Sequence, residues 1–154
     1  MSQSRKRPKV PEADYYVLAA ADYDSRELFA CRLCEKAVEQ GLKVHIRVDN
    51  DADLNQLDSK LWSFRADSFV PHVKIEEDQT SNPPVTLGVQ AIPNHQSGLL
   101  INLATDTPTD VGEFDRVAEI VSQDEKILSM TRQSFAERRT AGWQVRMNDL
   151  RKRG

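Results

Sequence analysis

The chain has 154 residues, of which 39% are hydrophobic, so it is long enough for one compact domain and short for two. Its formal net charge of -3 at pH 7 argues against a protein that holds DNA by broad neutralisation of phosphates. Its apolar runs fall far below the roughly 18 residues that span a bilayer, and its basic N-terminus lacks the apolar stretch of a secretion signal. We therefore expect a single-domain cytoplasmic protein that makes no contact with a membrane.

Basic residues are concentrated at both ends of the chain. Charge runs of this kind are usually solvated tails, although an acidic partner is the alternative. The pattern predicts a flexible basic N-terminal tail over residues 1–12, a folded domain over 13–146 and a basic C-terminal tail over 147–154. The residues concerned are Arg5, Lys6, Arg7 and Lys9 at the start, and Arg146, Arg151, Lys152 and Arg153 at the end.

The first part of the chain alternates between strand and helix patterns. Residues 15–20 form a short apolar run typical of a buried strand, and a helical stripe follows over 25–40, ending at Gly41. Residues 44–48 alternate between apolar and polar, which predicts a second strand. A helix capped by an aspartate then extends over residues 51–61.

Further strand and helix patterns follow a polar loop at residues 76–84. Residues 85–89 and 99–103 each predict a strand, and 117–121 favours a strand over a helical turn. A last helix is expected over 124–140. Alternating strands and helices predict an α/β, Rossmann-like three-layer domain with a mostly parallel central sheet and helices on both faces.

The sequence carries none of the motifs that would give this fold a cofactor. The turn at residues 20–25 contains no glycine, so it matches no phosphate-binding loop. Three aspartates at 49, 51 and 53 resemble the start of a calcium loop, but Leu54 and Lys60 stand where such a loop needs Gly and Glu. We expect no cofactor, no metal ion and no catalytic residues.

Cys31 and Cys34 are spaced as in redox motifs, yet both fall inside the predicted first helix rather than at its start. We interpret them as packing residues. A redox enzyme that uses this pair is one rival hypothesis, and a nucleic-acid binder that uses the basic tails is another.

The last helix has two distinct stripes when its residues are placed at 100° intervals. An aromatic ring flanked by guanidinium groups, away from the core, suits an acidic peptide with an apolar end. The alternative is that the ring widens the core and the arginine stems cover it, and periodicity leaves both open. The core stripe contains Ile127, Met130, Ser134 and Ala141, and the second stripe contains Leu128, Arg132, Phe135 and Arg139.

Aromatic residues are concentrated where the second helix should give way to a loop. Trp62, Phe64 and Phe69 lie within the twelve-residue stretch 61–72. Such rings either form a corner of the core or line a binding pocket.

Three segments carry a resemblance to a known family. The three segments are Leu61-Trp62, Ser68-Phe69-Val70-Pro71-His72 and Ser134-Phe135-Ala136-Glu137-Arg138-Arg139-Thr140-Ala141-Gly142-Trp143. The residues Gly41-Leu42-Lys43-Val44 at the second strand belong to the resemblance as well. In this order and separation the segments resemble the chi subunit of the bacterial DNA polymerase III holoenzyme, and the similarity runs from residue 15 to residue 145.

The resemblance implies a non-catalytic accessory subunit associated with the clamp loader. Such a subunit binds the acidic C-terminal tail of single-stranded-DNA-binding protein, which ends in Pro-Phe, and links that protein to the replisome through the psi subunit where one exists. Contact with nucleic acid would be mainly indirect.

The resemblance also implies a set of peptide-binding residues. Two positions depart from the family pattern, because Leu128 stands where the family can place Lys and Phe135 where it can place Tyr. The first change removes a charge, and the second keeps the ring and loses a hydroxyl. The residues implied are Trp62, Phe69, Val121, Arg132 and Phe135, with Leu128, Arg138 and Arg139 as a rim.

Overall fold

The fold was obtained as a computed structural model. Its helices and strands, in chain order, are β1 (Glu12–Val17), α1 (Tyr23–Glu39), β2 (Val44–Val48), α2 (Asp51–Ser63), β3 (His72–Lys74), β4 (Val85–Val89), β5 (Leu99–Asn102), β6 (Arg116–Val121), α3 (Glu125–Thr140) and β7 (Gln144–Asp149). No helix in the described part of the chain is both long and apolar enough to cross a membrane. The structure describes residues 10–64, 72–74, 83–90, 92–93, 98–108 and 110–152.

The seven strands form one sheet in the order β3-β4-β2-β5-β6-β1-β7. Every pairing between neighbours is parallel. The strand predicted at 117–121 is confirmed, since β6 pairs with both β5 and β1. The mostly parallel α/β sheet predicted from the sequence is therefore confirmed, and it is parallel throughout.

Helices cover both faces of this sheet. Tyr15 and Tyr16 are neighbours in β1, so their side chains point to opposite faces. The Tyr15 hydroxyl lies 2.9 Å from Ser134 Oγ of α3, whereas the Tyr16 ring lies 5.3 Å from the Phe29 ring of α1. Helices α1 and α2 share the core cluster on the Tyr16 face, which includes Leu57 of α2. The three-layer arrangement is confirmed.

Each helix begins at a polar side chain that accepts a hydrogen bond from a backbone N–H of the first turn. These residues are Asp22, Asn50 and Asp124. The sequence pattern favours Asp24 or Ser25 as the cap of α1 and Asp51 or Asp53 as the cap of α2, but all four lie inside the first turns of these helices. There the aspartates still favour the helix, since a negative charge near its N-terminus stabilises the helix dipole.

Two strands are absent from the sequence prediction. The short strand β3 and the edge strand β7 lack the apolar run that marks a buried strand, and β7 is at most half-buried. β7 extends to Asp149, so the predicted tail at 147–154 is corrected, because its first three residues pair with β1. β1 likewise begins at Glu12, the last residue of the predicted N-terminal tail. Most of the loop predicted at 76–84 lies outside the described residues.

At the carboxyl edge of the strands, where open α/β sheets bind ligands, hydrogen-bond donors of the chain already bond to its own groups. Arg26 is almost completely buried there, with Nε donating to the Ile120 carbonyl at 2.7 Å and Nη1 donating to the Leu103 carbonyl at 2.8 Å. At the start of α1, the carboxylate of Asp22 accepts the N–H of Ser25 at 2.9 Å. A phosphate group would need those same donors.

Candidate functional site

The second stripe of α3 has the half-buried ring of Phe135 at its centre. Phe135 packs edge-on against Tyr15, with ring centroids 5.3 Å apart, and belongs to the core cluster on this face of the sheet. Leu128 joins the same cluster and is also half-buried. The ring thus widens the core, as one of the two alternatives predicted, while remaining partly open to solvent.

Two exposed arginines flank this ring. The guanidinium of Arg139 lies 6.0 Å from the centroid of the Phe135 ring, within range of a cation–π contact. Arg132 lies one helical turn before Phe135 and is exposed as well. Across the described ranges, neither arginine forms an ion pair with a carboxylate. This face of α3 therefore presents uncompensated positive charge beside an apolar ring.

Val121 lies beneath this face rather than on it. Its side chain is 1% exposed at the end of β6, in the same cluster as Phe135. A residue so deeply buried supports the helix that carries Phe135 and does not itself line a surface.

Arg138 does not belong to the rim. It is 5% exposed, and its Nη1 donates to Glu119 Oε2 at 2.9 Å and to the Tyr15 hydroxyl at 3.1 Å. Its guanidinium also lies 4.5 Å from the centroid of the Trp143 ring. The expectation of a rim position is corrected, because Arg138 follows Ser134 by one turn on the core stripe. That spacing was the signal in the sequence for its burial.

Trp62 is not brought together with the α3 group. It lies near the end of α2 with its ring 4.9 Å from that of His72 on β3, the outermost strand at that side of the sheet. β3 and β1 are five strand spacings apart, or roughly 24 Å. α2 and α3 also cover opposite faces. Phe69, its expected companion in the pocket, lies outside the described residues.

The indole of Trp62 is nevertheless accessible, because the residue is 53% exposed. Its neighbour His72 is buried, and His72 Nε2 lies 3.0 Å from Asp58 Oδ1 of α2. Trp62 thus marks a second surface beside α2, distinct from that of α3.

The cysteine pair has no features of a redox site. Both thiols are buried and free. Burial raises the pKa of Cys31 to about 12 and raises the pKa of Cys34 as well, so neither forms the thiolate needed for reaction near neutral pH. In the parts of the chain that the structure describes, no group of His, Cys, Asp and Glu side chains could hold a metal ion.

Residues 10–146 match the family model of the DNA polymerase III chi subunit, HolC. The chain belongs to the chi subunit family. It is 40% identical to the DNA polymerase III subunit chi of Pseudomonas aeruginosa over 137 residues, which is 89% of this chain and 95% of that protein. The subunits chi of Haemophilus influenzae and Escherichia coli are 27% and 25% identical, over 86% and 77% of this chain and 93% and 82% of their own.

Membership of the chi family decides the general role. The chain is an accessory replication subunit of DNA polymerase III and not its catalytic subunit. Both surfaces described above, on α3 and around Trp62, fall within the matched residues 10–146.

Proposed function

We propose that this chi subunit binds the acidic C-terminal tail of single-stranded-DNA-binding protein on the exposed stripe of α3. The observation that carries the proposal is the pair of arginines without carboxylate partners, Arg132 and Arg139, on either side of the half-buried Phe135. An acidic peptide ending in an aromatic residue matches both the charge and the apolar surface. Nucleic acid would then be reached mainly through the bound protein.

The contacts expected follow from the chemistry of the two partners. The terminal carboxylate and the nearby aspartates of the tail accept charge-assisted hydrogen bonds from the guanidinium groups of Arg132 and Arg139. The terminal phenyl ring packs against Phe135 and Leu128. A short extended peptide loses conformational entropy when it binds, so the affinity should be on the order of micromolar. Salt should weaken it without abolishing it.

We further propose that the psi subunit, where one exists, docks on the opposite face around Trp62 and connects this chain to the clamp loader. An exposed indole is a typical anchor of a protein interface. The position of Trp62 on α2, across the sheet from α3, favours this assignment. Two partners on opposite faces can bind at the same time, as a cytoplasmic adaptor requires.

The decisive experiment compares two forms of the cognate single-stranded-DNA-binding protein. The full 154-residue chain is used to pull down the intact single-stranded-DNA-binding protein and a form that lacks its C-terminal residues. We expect retention of the intact form alone, and reduced retention at higher salt. Equal retention of both forms would contradict the proposal.

A further inference from the structure

The outer backbone edge of β7 is unpaired. β7 is the last strand at its side of the sheet and pairs with β1 alone. The N–H of Leu150, directly after β7, donates to the Val17 carbonyl of β1 at 2.9 Å. Backbone groups of successive strand residues point alternately to either side, so those of Val145, Met147 and Asp149 point away from β1. In the described ranges no other segment bonds to these backbone groups.

This edge lacks the features that usually prevent the addition of another strand. Proteins protect their sheet edges with very short strands, with proline or with charged side chains. β7 has six residues and no proline, whereas β3 at the opposite edge has three residues. The charge of Arg146 is engaged by Asp14 and Glu12 of β1. β7 can therefore accept a further strand.

The second stripe of α3 lies beside this free edge. Phe135 of that stripe belongs to the same apolar cluster as Val145 of β7. The opposite flank of α3 faces the loop after β5, where Glu137 and Thr107 line one small cavity. Met147 lies two residues after Val145, on the same face of the sheet, and is 48% exposed. An exposed apolar side chain thus lies between the second stripe and the unpaired edge.

The charges around β7 suit an acidic partner. α3 runs antiparallel to the strands, so Arg139 near its end lies beside the start of β7, and Lys152 follows the end of β7. Both side chains are exposed, and neither forms an ion pair within the described ranges. The carboxylate of Asp149 is held by Arg151, with Nη2 at 2.6 Å. An acidic extended segment along β7 would meet positive charge at both ends of the strand.

We propose that the residues preceding the end of the single-stranded-DNA-binding tail pair with β7 as an additional strand. This inference rests on the proposed binding of the tail to the second stripe of α3. The terminal phenyl ring packs on the stripe, while the backbone of the preceding residues bonds to Val145, Met147 and Asp149. Main-chain hydrogen bonds supply affinity without selecting side chains. The acidic side chains of the tail then stay free to contact the guanidinium groups.

The first test replaces single peptide bonds of a synthetic tail peptide by esters, which removes one N–H at a time. Isothermal titration with the full chain measures the affinity of each peptide. We expect about fivefold weaker binding at every second position and a change of less than about twofold at the positions between them. Equal affinity of all the esters, with binding that still depends on Arg132, would overturn the pairing with β7 and leave tail binding in place. Absence of binding by the unmodified peptide would overturn both proposals.

The second test blocks the edge of β7 in the protein. Met147→Pro removes an outward N–H and places a ring on the edge, and edge strands tolerate proline at such positions. It should weaken binding of the tail peptide about tenfold, because it removes hydrogen bonds and obstructs the added strand. Met147→Val keeps the N–H, so its loss of affinity should be several-fold smaller.

Circular dichroism shows whether each variant is folded. Equal affinities of the folded Met147→Pro and Met147→Val chains would refute the pairing, since only the side chain would then matter. Should Met147→Pro fail to fold, the ester peptides decide the question on the unsubstituted chain.

Discussion

Tyr15 and Tyr16 are adjacent in β1, yet they contact helices on opposite faces of the sheet. The Tyr15 hydroxyl lies 2.9 Å from Ser134 Oγ, whereas the Tyr16 ring lies 5.3 Å from that of Phe29. The alternation of side chains along a strand places α3 on one face and α1 with α2 on the other. The two surfaces proposed to bind partners, one on α3 and one around Trp62, therefore lie on opposite faces of the sheet.

Arg132→Ala should weaken binding of the single-stranded-DNA-binding tail peptide about tenfold or more, because it removes a charge-assisted hydrogen bond worth roughly 1.5–3 kcal/mol. The salt dependence should also become flatter. Isothermal titration with the synthetic peptide measures both effects. Arg32→Ala is the control, since Arg32 is exposed on α1 across the sheet. Equal loss of affinity in both variants would argue for general electrostatics instead of a site on α3.

Trp62→Ala should leave the affinity for the tail peptide within about twofold of the unsubstituted chain, since residues far apart without shared partners act independently. The same titration measures this. A large loss of affinity for the tail peptide would mean that the tail reaches from α3 to α2, contrary to the separation of the two surfaces.

Where a cognate psi subunit exists, its binding to the Trp62→Ala chain should be lost, because the exposed indole is the proposed anchor.

Arg26→Met should destabilise the fold by at least about 3 kcal/mol, because it leaves buried carbonyls at the ends of β5 and β6 without donors. In the native chain, Arg26 donates to the carbonyls of Leu103, Ala104 and Ile120. Urea unfolding followed by circular dichroism gives the free energy of unfolding. Arg32→Ala should change it by no more than about 0.5 kcal/mol. An Arg26→Met protein of unchanged stability would show that these buried carbonyls accept hydrogen bonds from other donors.

The contact between Asp14 and Arg146 should make stability depend on acid pH. Burial alone would raise the pKa of Asp14, but hydrogen bonding to Arg146 and the charges of Arg146 and Arg116 together lower that pKa below its usual value. A lowered pKa contributes stability above the unfolded-state value of about 4, and this contribution is lost as pH falls through the folded-state value.

Arg146→Gln should therefore destabilise the chain at neutral pH, and the difference from the unsubstituted chain should shrink at pH values below about 4. Urea unfolding at neutral and acid pH measures this difference. A difference that is constant with pH would mean that Arg146 acts through packing and not through its ion pair with Asp14.

Cys31 and Cys34 should not react with a thiol reagent in the native chain near neutral pH, because burial raises the pKa of both thiols. Absorbance after addition of an aromatic disulfide reports the reaction, and denaturant provides the control in which both thiols become reactive. Rapid release of the aromatic thiolate from the reagent by the native chain would support the redox hypothesis instead.

Much of the fold could be predicted because its central elements carry strong local signals. The apolar stripes of α1 and α3 and the apolar alternation of β2 and β4 agree with the elements found. β7 could not be predicted in this way. Its residues are largely polar. They form a strand because β1 provides a parallel partner and because Arg146 donates hydrogen bonds to Asp14 and Glu12 on β1.

The sequence by itself determined the family, the parallel α/β class and the basic, aromatic stripe of α3, because each follows from residue order or from a single helix. Only the tertiary structure decided which of those residues share a surface. The buried Arg138 pairs with Glu119 of β6, a partner that its own helix does not identify, and Trp62 lies on the face opposite Phe135. Such relations depend on how strands are ordered in the sheet and on which face each helix covers, and no local pattern encodes them.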